Sequence, residues 1–197
     1  STAAITKDIA WTSGGSITSI TPGTGIATSK TIGSDTITAT VGKITGTTKL
    51  NIQGPYLSIS TGGSHSITLK ANGALWSAGL NRSGQLGDGT ATDRFELTSI
   101  GTVTTWATIA SGEFHTVAIR ADASLWSWGF NQNGQLGDGS FVDKPSPTKI
   151  GSGTWASIAA GKSHTLGVKK DGTLWAWGRN FNGQLGDGTQ IDRVEPV

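Results

Sequence analysis

The first 53 residues show a strict alternation of apolar and polar positions. In the run 35–41, isoleucine, alanine and valine alternate with threonine at every second position. A period of two places each set on one face of a β-strand. Similar short runs occur at 8–12, 25–30 and 47–52. We therefore predict an antiparallel sheet with one buried face in this part of the chain.

The rest of the chain repeats its own pattern every 49 to 50 residues. A Gly-x-x-His segment, a Leu-Trp pair and a Gly-Gln-Leu-Gly-Asp-Gly segment each recur three times, in phase with one another. Repeats of this length are typical of propellers, solenoids and arrays. The chemistry-bearing positions that recur are His65, His115 and His164; Trp76, Trp126 and Trp175; and Asp88, Asp138 and Asp187.

Each copy contains about four short runs with strand character. In the second copy these runs are 106–110, 115–120, 125–130 and 147–150. Four short strands separated by glycine-rich turns fit one blade of a β-propeller. We predict three repeats, the last one incomplete, at about 56–104, 105–153 and 154–197.

Composition narrows the possible functions. Glycine accounts for 30 of 197 residues, only 14% of residues are charged, and the formal net charge is +2. This charge balance argues against a nucleic-acid partner. The absence of cysteine excludes disulfides, thiol nucleophiles and cysteine-bound zinc. No apolar run approaches the length of a membrane span, so we expect no membrane insertion.

The motifs of the repeats resemble the regulator of chromosome condensation repeat family. These motifs are Gly-x-x-His-Thr, Leu-Trp-x-Trp-Gly and Asn-x-x-Gly-Gln-Leu-Gly-x-Gly, and the resemblance covers about residues 56–197. It implies antiparallel four-stranded blades around an axis. A closed ring of the family's usual size would need about twice as much chain.

The first 53 residues resemble the second half of a bacterial immunoglobulin-like domain of group 2. The resemblance rests on the strand around Trp11 and on the segments Gly25-Ile-Ala-Thr and Gly33-Ser-Asp-Thr-Ile-Thr-Ala-Thr. It implies half of a β-sandwich over 1–53 and an extracellular or cell-surface location of bacterial type. The predicted fold is thus all-β, a partial propeller of about three blades preceded by half of an Ig-like sandwich, with the joint at Gly54-Pro55.

The repeated polar residues are expected to be structural. The three histidines are the only side chains that titrate near neutral pH. Each occupies the same place in a different repeat, so we expect each to bond the backbone of a neighbouring turn. The aspartates are expected to fix turns by accepting backbone N–H bonds, with calcium binding as the open alternative. The tryptophans are expected to pack adjacent blades together. We predict no catalytic, cofactor-binding or metal-binding residues.

The segment after each Asp-Gly varies most between repeats. A partner-specific surface would lie where sequence varies on a repeated scaffold, and ordinary loop drift is the alternative. The candidate interaction residues in these loops are Arg94, Phe95, Phe141, Val142, Lys144, Ile191 and Arg193.

These observations favour a protein without catalytic activity. The sequence contains no Ser-His-Asp order, phosphate-binding loop or paired-carboxylate signature. We predict an extracellular or cell-surface structural or adhesive protein that assembles with itself or forms part of a larger multidomain protein. Its partner would be a second copy, or an external protein or glycan. The alternative is a specific protein-binding regulator or inhibitor that uses the propeller-face loops, because the family includes an exchange factor for a small GTPase and an inhibitor of β-lactamase.

Overall fold

The computed structural model describes residues 10–13, 18–20, 27–29, 33–41, 44–52 and 55–197. Every helix or strand among these residues is a β-strand, as predicted for an all-β chain. No helix in these ranges is long and apolar enough to cross a membrane. The chain divides into two compact units, Ser1–Pro55 and Tyr56–Val197.

The first unit contains two small antiparallel arrangements. One is a three-stranded sheet in the order β1-β4-β5, and the other is the pair β2-β3. The ends of the predicted runs 8–12 and 25–30 lie outside the described residues, and the Ig-like identity of this unit stays a prediction. The strands are β1 (Ala10–Ser13), β2 (Thr18–Ile20), β3 (Ala27–Ser29), β4 (Gly33–Val41) and β5 (Ile44–Ile52).

The second unit consists of three blades whose strands pair antiparallel in chain order. The first blade is β6 (Tyr56–Thr61), β7 (His65–Lys70), β8 (Leu75–Gly79) and β9 (Arg94–Ser99). The second is β10 (Trp106–Ser111), β11 (His115–Arg120), β12 (Leu125–Gly129) and β13 (Lys144–Ile150). The third is β14 (Trp155–Ala160), β15 (His164–Lys169) and β16 (Leu174–Gly178).

A fourth strand also begins in the third blade. Arg193 forms a bridge with Gly178, and the backbones of Val197 and Ala176 exchange two hydrogen bonds. The partial propeller predicted from the repeats is therefore confirmed.

The core of this unit lies between successive blades. One apolar cluster joins Ile67, Leu69 and Leu75 of the first blade to Trp106 and Trp128 of the second. A second cluster joins the second blade to the third in the same way, through Val117, Ile119, Leu125, Ile150, Trp155 and Trp177. Because each blade completes the core of its neighbour, stability arises at the blade interfaces rather than inside single blades.

Candidate functional site: repeat loops and blade interfaces

Each repeat has a long loop organised by one fully buried asparagine. In the first repeat the Asn81 side-chain amide donates to Asp88 Oδ1 at 3.0 Å, and its Oδ1 accepts the Leu86 N–H at 3.0 Å. Asn131 and Asn180 make the same bonds in the second and third repeats. Sequence reasoning did not single out these asparagines as a set, although the in-phase Asn-x-x-Gly-Gln-Leu-Gly motif contains the signal.

The aspartates of the loops are held by donors of their own repeat. Asp88 Oδ1 accepts the N–H and hydroxyl of Thr90 at 3.0 and 2.7 Å, and Oδ2 lies 2.6 Å from Arg94 Nη2. Burial raises the pKa of Asp88, but the bonds from Thr90 and Arg94 outweigh it and leave that pKa below its usual value. Within the described residues, no three acidic or histidine side chains are grouped so that they could hold a metal ion.

The three cationic candidate residues form ion pairs with aspartates of their own loops. Arg94 and Arg193 pair with the aspartates of their own repeats, and Lys144 lies 3.4 Å from Asp138. These side chains therefore stabilise the turn first, and only part of each remains available to a partner. The apolar candidates differ, because Phe95, Phe141, Val142 and Ile191 are each more than half exposed.

His65 and His115 connect neighbouring blades. His65 Nε2 lies 3.1 Å from Thr116 Oγ1 in the next repeat, and the Thr116 hydroxyl donates its only proton to the Gln85 carbonyl at 3.0 Å. His65 Nε2 must therefore carry the proton that it shares with Thr116. His115 bonds Thr165 in the same way at 3.1 Å. For His65 and His115 the expected backbone partner was wrong, because each ring reaches a side-chain hydroxyl across the blade interface.

Burial keeps these rings neutral. It lowers the pKa of His65 to about 4. It also lowers the pKa of His115 to about 3, with a further contribution from the nearby His65 and His164 rings. His115 is completely inaccessible to solvent. A substrate could not reach it, so its position supports a structural role.

The second tryptophan of a Leu-Trp-x-Trp motif packs on a glycine of the preceding repeat, as Trp128 does on Gly87 and Trp177 on Gly137. Trp128 Nε1 of the second blade donates to the Gln85 carbonyl of the first blade at 3.0 Å. The Trp128 indole packs against Gly87, whose φ is +79°. A Cβ at position 87 would lie only 2.6 Å from Trp128 Nε1. Only glycine fits both this backbone conformation and this contact.

The tryptophans of the Leu-Trp pairs each hold a cation over the ring. The Lys70 Nζ, Arg120 Cζ and Lys169 Nζ atoms lie 3.8, 3.6 and 3.4 Å from the ring centroids of Trp76, Trp126 and Trp175, respectively. Each cation lies on the strand next to its ring, so these contacts bind strands within one blade.

Comparison with known families agrees with the repeat geometry. One family model, described as Regulator of chromosome condensation (RCC1) repeat, matches 72–119 and 122–168. A second model of the same description matches 57–85, 106–135 and 155–184, so that the two together cover 57–184. The chain belongs to the RCC1 repeat family. The His–Thr bonds and Asn–Asp loops described above are therefore features of its RCC1 repeats.

Solved structures with RCC1 repeats show the same fold. Prp20p from Saccharomyces cerevisiae, studied for its binding to Gsp1p and histones, has a TM-score of 0.65 at 21% identity, covering 84% of this chain and 48% of that one. The structure of Kap60 bound to yeast RCC1 (Prp20) gives 0.66 at 20% identity, covering 84% and 46%. This chain thus spans about half the length of these structures. No curated protein matches the sequence.

Proposed function

We propose that this protein is a non-catalytic binding scaffold whose RCC1 repeats hold a row of loops against another protein. The observation that carries the proposal is the exposure of Phe141 and Val142 in the second repeat and Ile191 in the third. These residues occupy the same loop of successive repeats. In the second repeat the loop lies between Asp138 and Asp143, which accepts the Asn131 N–H. In the third repeat it lies between Asp187 and Asp192, which accepts the Asn180 N–H. Exposed apolar side chains that recur on one surface are typical of interaction sites.

The loops are rigid enough to serve this purpose. Asn131 donates to Asp138 and to the Ser140 carbonyl from inside its loop. The Gly139 N–H reaches across to the Val194 carbonyl of the third repeat at 2.9 Å. A loop that is held before binding loses little conformational entropy when a partner docks.

The polar chemistry of the repeats supports a role without catalysis. The His65 and His115 rings are buried and neutral, and the loop aspartates already accept bonds from their own repeats. A general acid or base must reach its substrate and titrate near the working pH. These groups are used for folding instead.

The wider setting is a structural or adhesive protein at a bacterial cell surface or outside the cell. This part of the proposal is supported by the resemblance of residues 1–53 to an Ig-like domain. Prp20p, studied for binding to Gsp1p and histones, is a precedent for protein partners of this fold. We accordingly propose a protein partner for the loop face. A specific regulator or inhibitor would use the same surface.

Self-association is the second candidate, supported by two exposed apolar side chains of the third repeat. Leu174 and Phe181 are each 67% exposed. Native mass spectrometry of the full chain tests this candidate, because a discrete oligomer that becomes monomeric in Leu174→Ser/Phe181→Ser would support it. A wild-type monomer would contradict it.

The loop surface is tested with a matched pair of variants. Phe141→Ser/Val142→Ser removes the exposed apolar side chains of one loop, whereas Leu174→Ser removes a comparably exposed side chain elsewhere. For a stoichiometric partner isolated with the wild-type chain, we expect the loop variant to weaken binding at least tenfold, as loss of an apolar anchor does. Binding measured by calorimetry should be unchanged in Leu174→Ser. Equal affinities of the partner for the wild type, the loop variant and Leu174→Ser would overturn the proposal.

A further inference from the structure

A cleft of about 380 Å³ opens between the second and third blades. Its walls include the indole rings of Trp155 and Trp175, with Lys169 between them, and its rim carries Lys149 and Glu195. Trp175 is fixed in place because its Nε1 donates to Thr173 Oγ1 at 2.8 Å. The cleft thus combines the partly exposed indole of Trp175 with charged groups of both signs.

The equivalent cleft between the first and second blades provides an internal comparison. It is smaller, at about 270 Å³, and it is lined by Val103, which packs against the apolar cluster there. The corresponding loop of the larger cleft, 151–154, reads Gly-Ser-Gly-Thr and brings no apolar side chain. Lys149 and Glu195 occupy the repeat positions of Ser99 and Ser146. The loop difference makes the second cleft roomier, and the two side-chain differences make its rim more highly charged.

The second cleft also contains a polar atom without a partner. Trp155 is 3% exposed, and its Nε1–H makes no hydrogen bond among the described residues. The Trp106 Nε1–H in the smaller cleft also lacks a partner, so the two clefts differ in their room and rim charges and not in the unpaired donor. Trp155 Nε1 lies 3.2 Å from the place where a Cβ on Gly153 would be, and both residues line the second cleft. A buried donor without an acceptor is costly. A ligand oxygen in the cleft would satisfy it.

We propose that this cleft binds a neutral pyranose ring of a glycan. The C–H face of a pyranose packs on the electron-rich face of an aromatic ring, and its hydroxyls both donate and accept hydrogen bonds. One ring oxygen or hydroxyl accepts from Trp155 Nε1, the lysines donate to others, and Glu195 accepts. Lysines and carboxylates on the same rim disfavour a strongly charged ligand of either sign. The site is separate from the protein-binding loop surface, so either proposal can fail alone.

The test is a titration of the ¹⁵N-labelled full chain, followed at the assigned indole N–H signals of Trp155 and Trp106. The ligands are methyl β-D-glucopyranoside, methyl β-D-galactopyranoside and N-acetylglucosamine, with glucuronate and glucosamine as charged comparisons. We expect at least one neutral sugar to shift the Trp155 signal saturably, with a Kd of roughly 1 mM. The Trp106 signal of the smaller cleft should not move.

Three variants test whether the sugar binds in the larger cleft. Gly153→Val places a side chain where Val103 lies in the smaller cleft, and it should weaken binding at least tenfold. Glu195 is exposed, and Ser146 is its equivalent in the second repeat. Glu195→Ser should therefore weaken sugar binding several-fold without affecting folding. Ser99→Lys introduces a lysine at the corresponding position of the first blade, away from the larger cleft, and should leave the titration unchanged.

The opposite results would overturn the proposal. These are no shift of Trp155 with any neutral sugar, equal shifts of Trp155 and Trp106, or binding of glucuronate or glucosamine alone. Unchanged affinity in both Gly153→Val and Glu195→Ser would also overturn it. Because Glu195→Ser leaves the core untouched, a folding defect in Gly153→Val would not prevent a decision.

Discussion

The second and third blades carry the same interface residues but have different surroundings. His115 is fully buried against Thr165 of the following blade, whereas His164 is partly exposed. A Cβ on Gly137 would lie 2.7 Å from an indole nitrogen of the next blade, whereas no described atom lies within 4 Å of the same position at Gly186. The comparison shows that burial and the steric need for glycine come from the neighbouring blade, since both blades carry the same motifs and both glycines have positive φ.

The largest expected difference in the free energy of unfolding is between Gly137→Ala and Gly186→Ala. Both glycines have positive φ, +75° and +69°, so alanine strains each backbone by about 1 kcal/mol. Only Gly137→Ala also forces the Trp177 indole out of its place, which adds about 2–3 kcal/mol. Urea unfolding should therefore show a total loss of about 3–4 kcal/mol for Gly137→Ala and about 1 kcal/mol for Gly186→Ala. Equal losses would show that the neighbouring blade contributes nothing at this position.

Removing the histidine ring should distinguish the same two blades. His115→Ala leaves a cavity and removes the bond to Thr165, and we expect a loss of about 2–3 kcal/mol in the free energy of unfolding. His164→Ala removes a partly exposed ring and should cost less than about 1 kcal/mol. Urea unfolding of both variants checks the prediction. It fails if His164→Ala is the more destabilising change.

The buried histidines also predict an acid-sensitive interface. Their folded pKa values, about 4 for His65 and about 3 for His115, lie below the ordinary value of 6.5. The unfolded chain therefore binds more protons in this window, and stability present above pH 6.5 is lost as the pH falls towards those values. Each ring contributes a slope of at most about 1.4 kcal/mol per pH unit.

Urea unfolding between pH 7 and pH 5 measures this slope above the range where the loop aspartates titrate. His115→Asn should flatten the slope more than His164→Asn, because His115 is the more deeply buried ring. A wild-type stability that is constant from pH 7 to pH 5 would contradict the prediction.

The smallest expected effect concerns the loop ion pairs. Arg94 approaches Asp88 with two nitrogens, at 2.6 and 2.7 Å, whereas the Lys144 ammonium lies 3.4 Å from Asp138. Lys144→Arg should therefore stabilise the second repeat by about 0.5 kcal/mol, because a guanidinium can make both bonds at this partly exposed site. Thermal unfolding of Lys144→Arg, compared with Arg94→Lys as the reverse change, checks this. The two changes should shift Tm in opposite directions.

Sequence periodicity was enough to predict the blades but not what their polar residues contact. The strand-like runs within each repeat predicted about four short strands per blade, and the structure shows two four-stranded antiparallel sheets and a third sheet of three strands. The bond between His65 and Thr116 could not be predicted in the same way. It spans 51 positions and depends on how closely one blade approaches the next.

The interaction loops illustrate the same limit. Variation between repeats marked Arg94 and Phe141 alike as candidate contact residues. The structure separates them, because Arg94 pairs with Asp88 while Phe141 is exposed. Sequence variation indicates where a surface can change, but the side chains left free are decided by the local hydrogen bonds.

The sequence by itself determined the all-β class, the repeat length and the structural elements of each blade. Strand alternation and tight turns are local properties, and they recur in every copy. Only the tertiary structure decided which histidines are buried, which tryptophan N–H groups lack a partner and how large each cleft between blades is. Those properties depend on contacts between repeats, so identical motifs acquire different environments according to the blade that lies beside them.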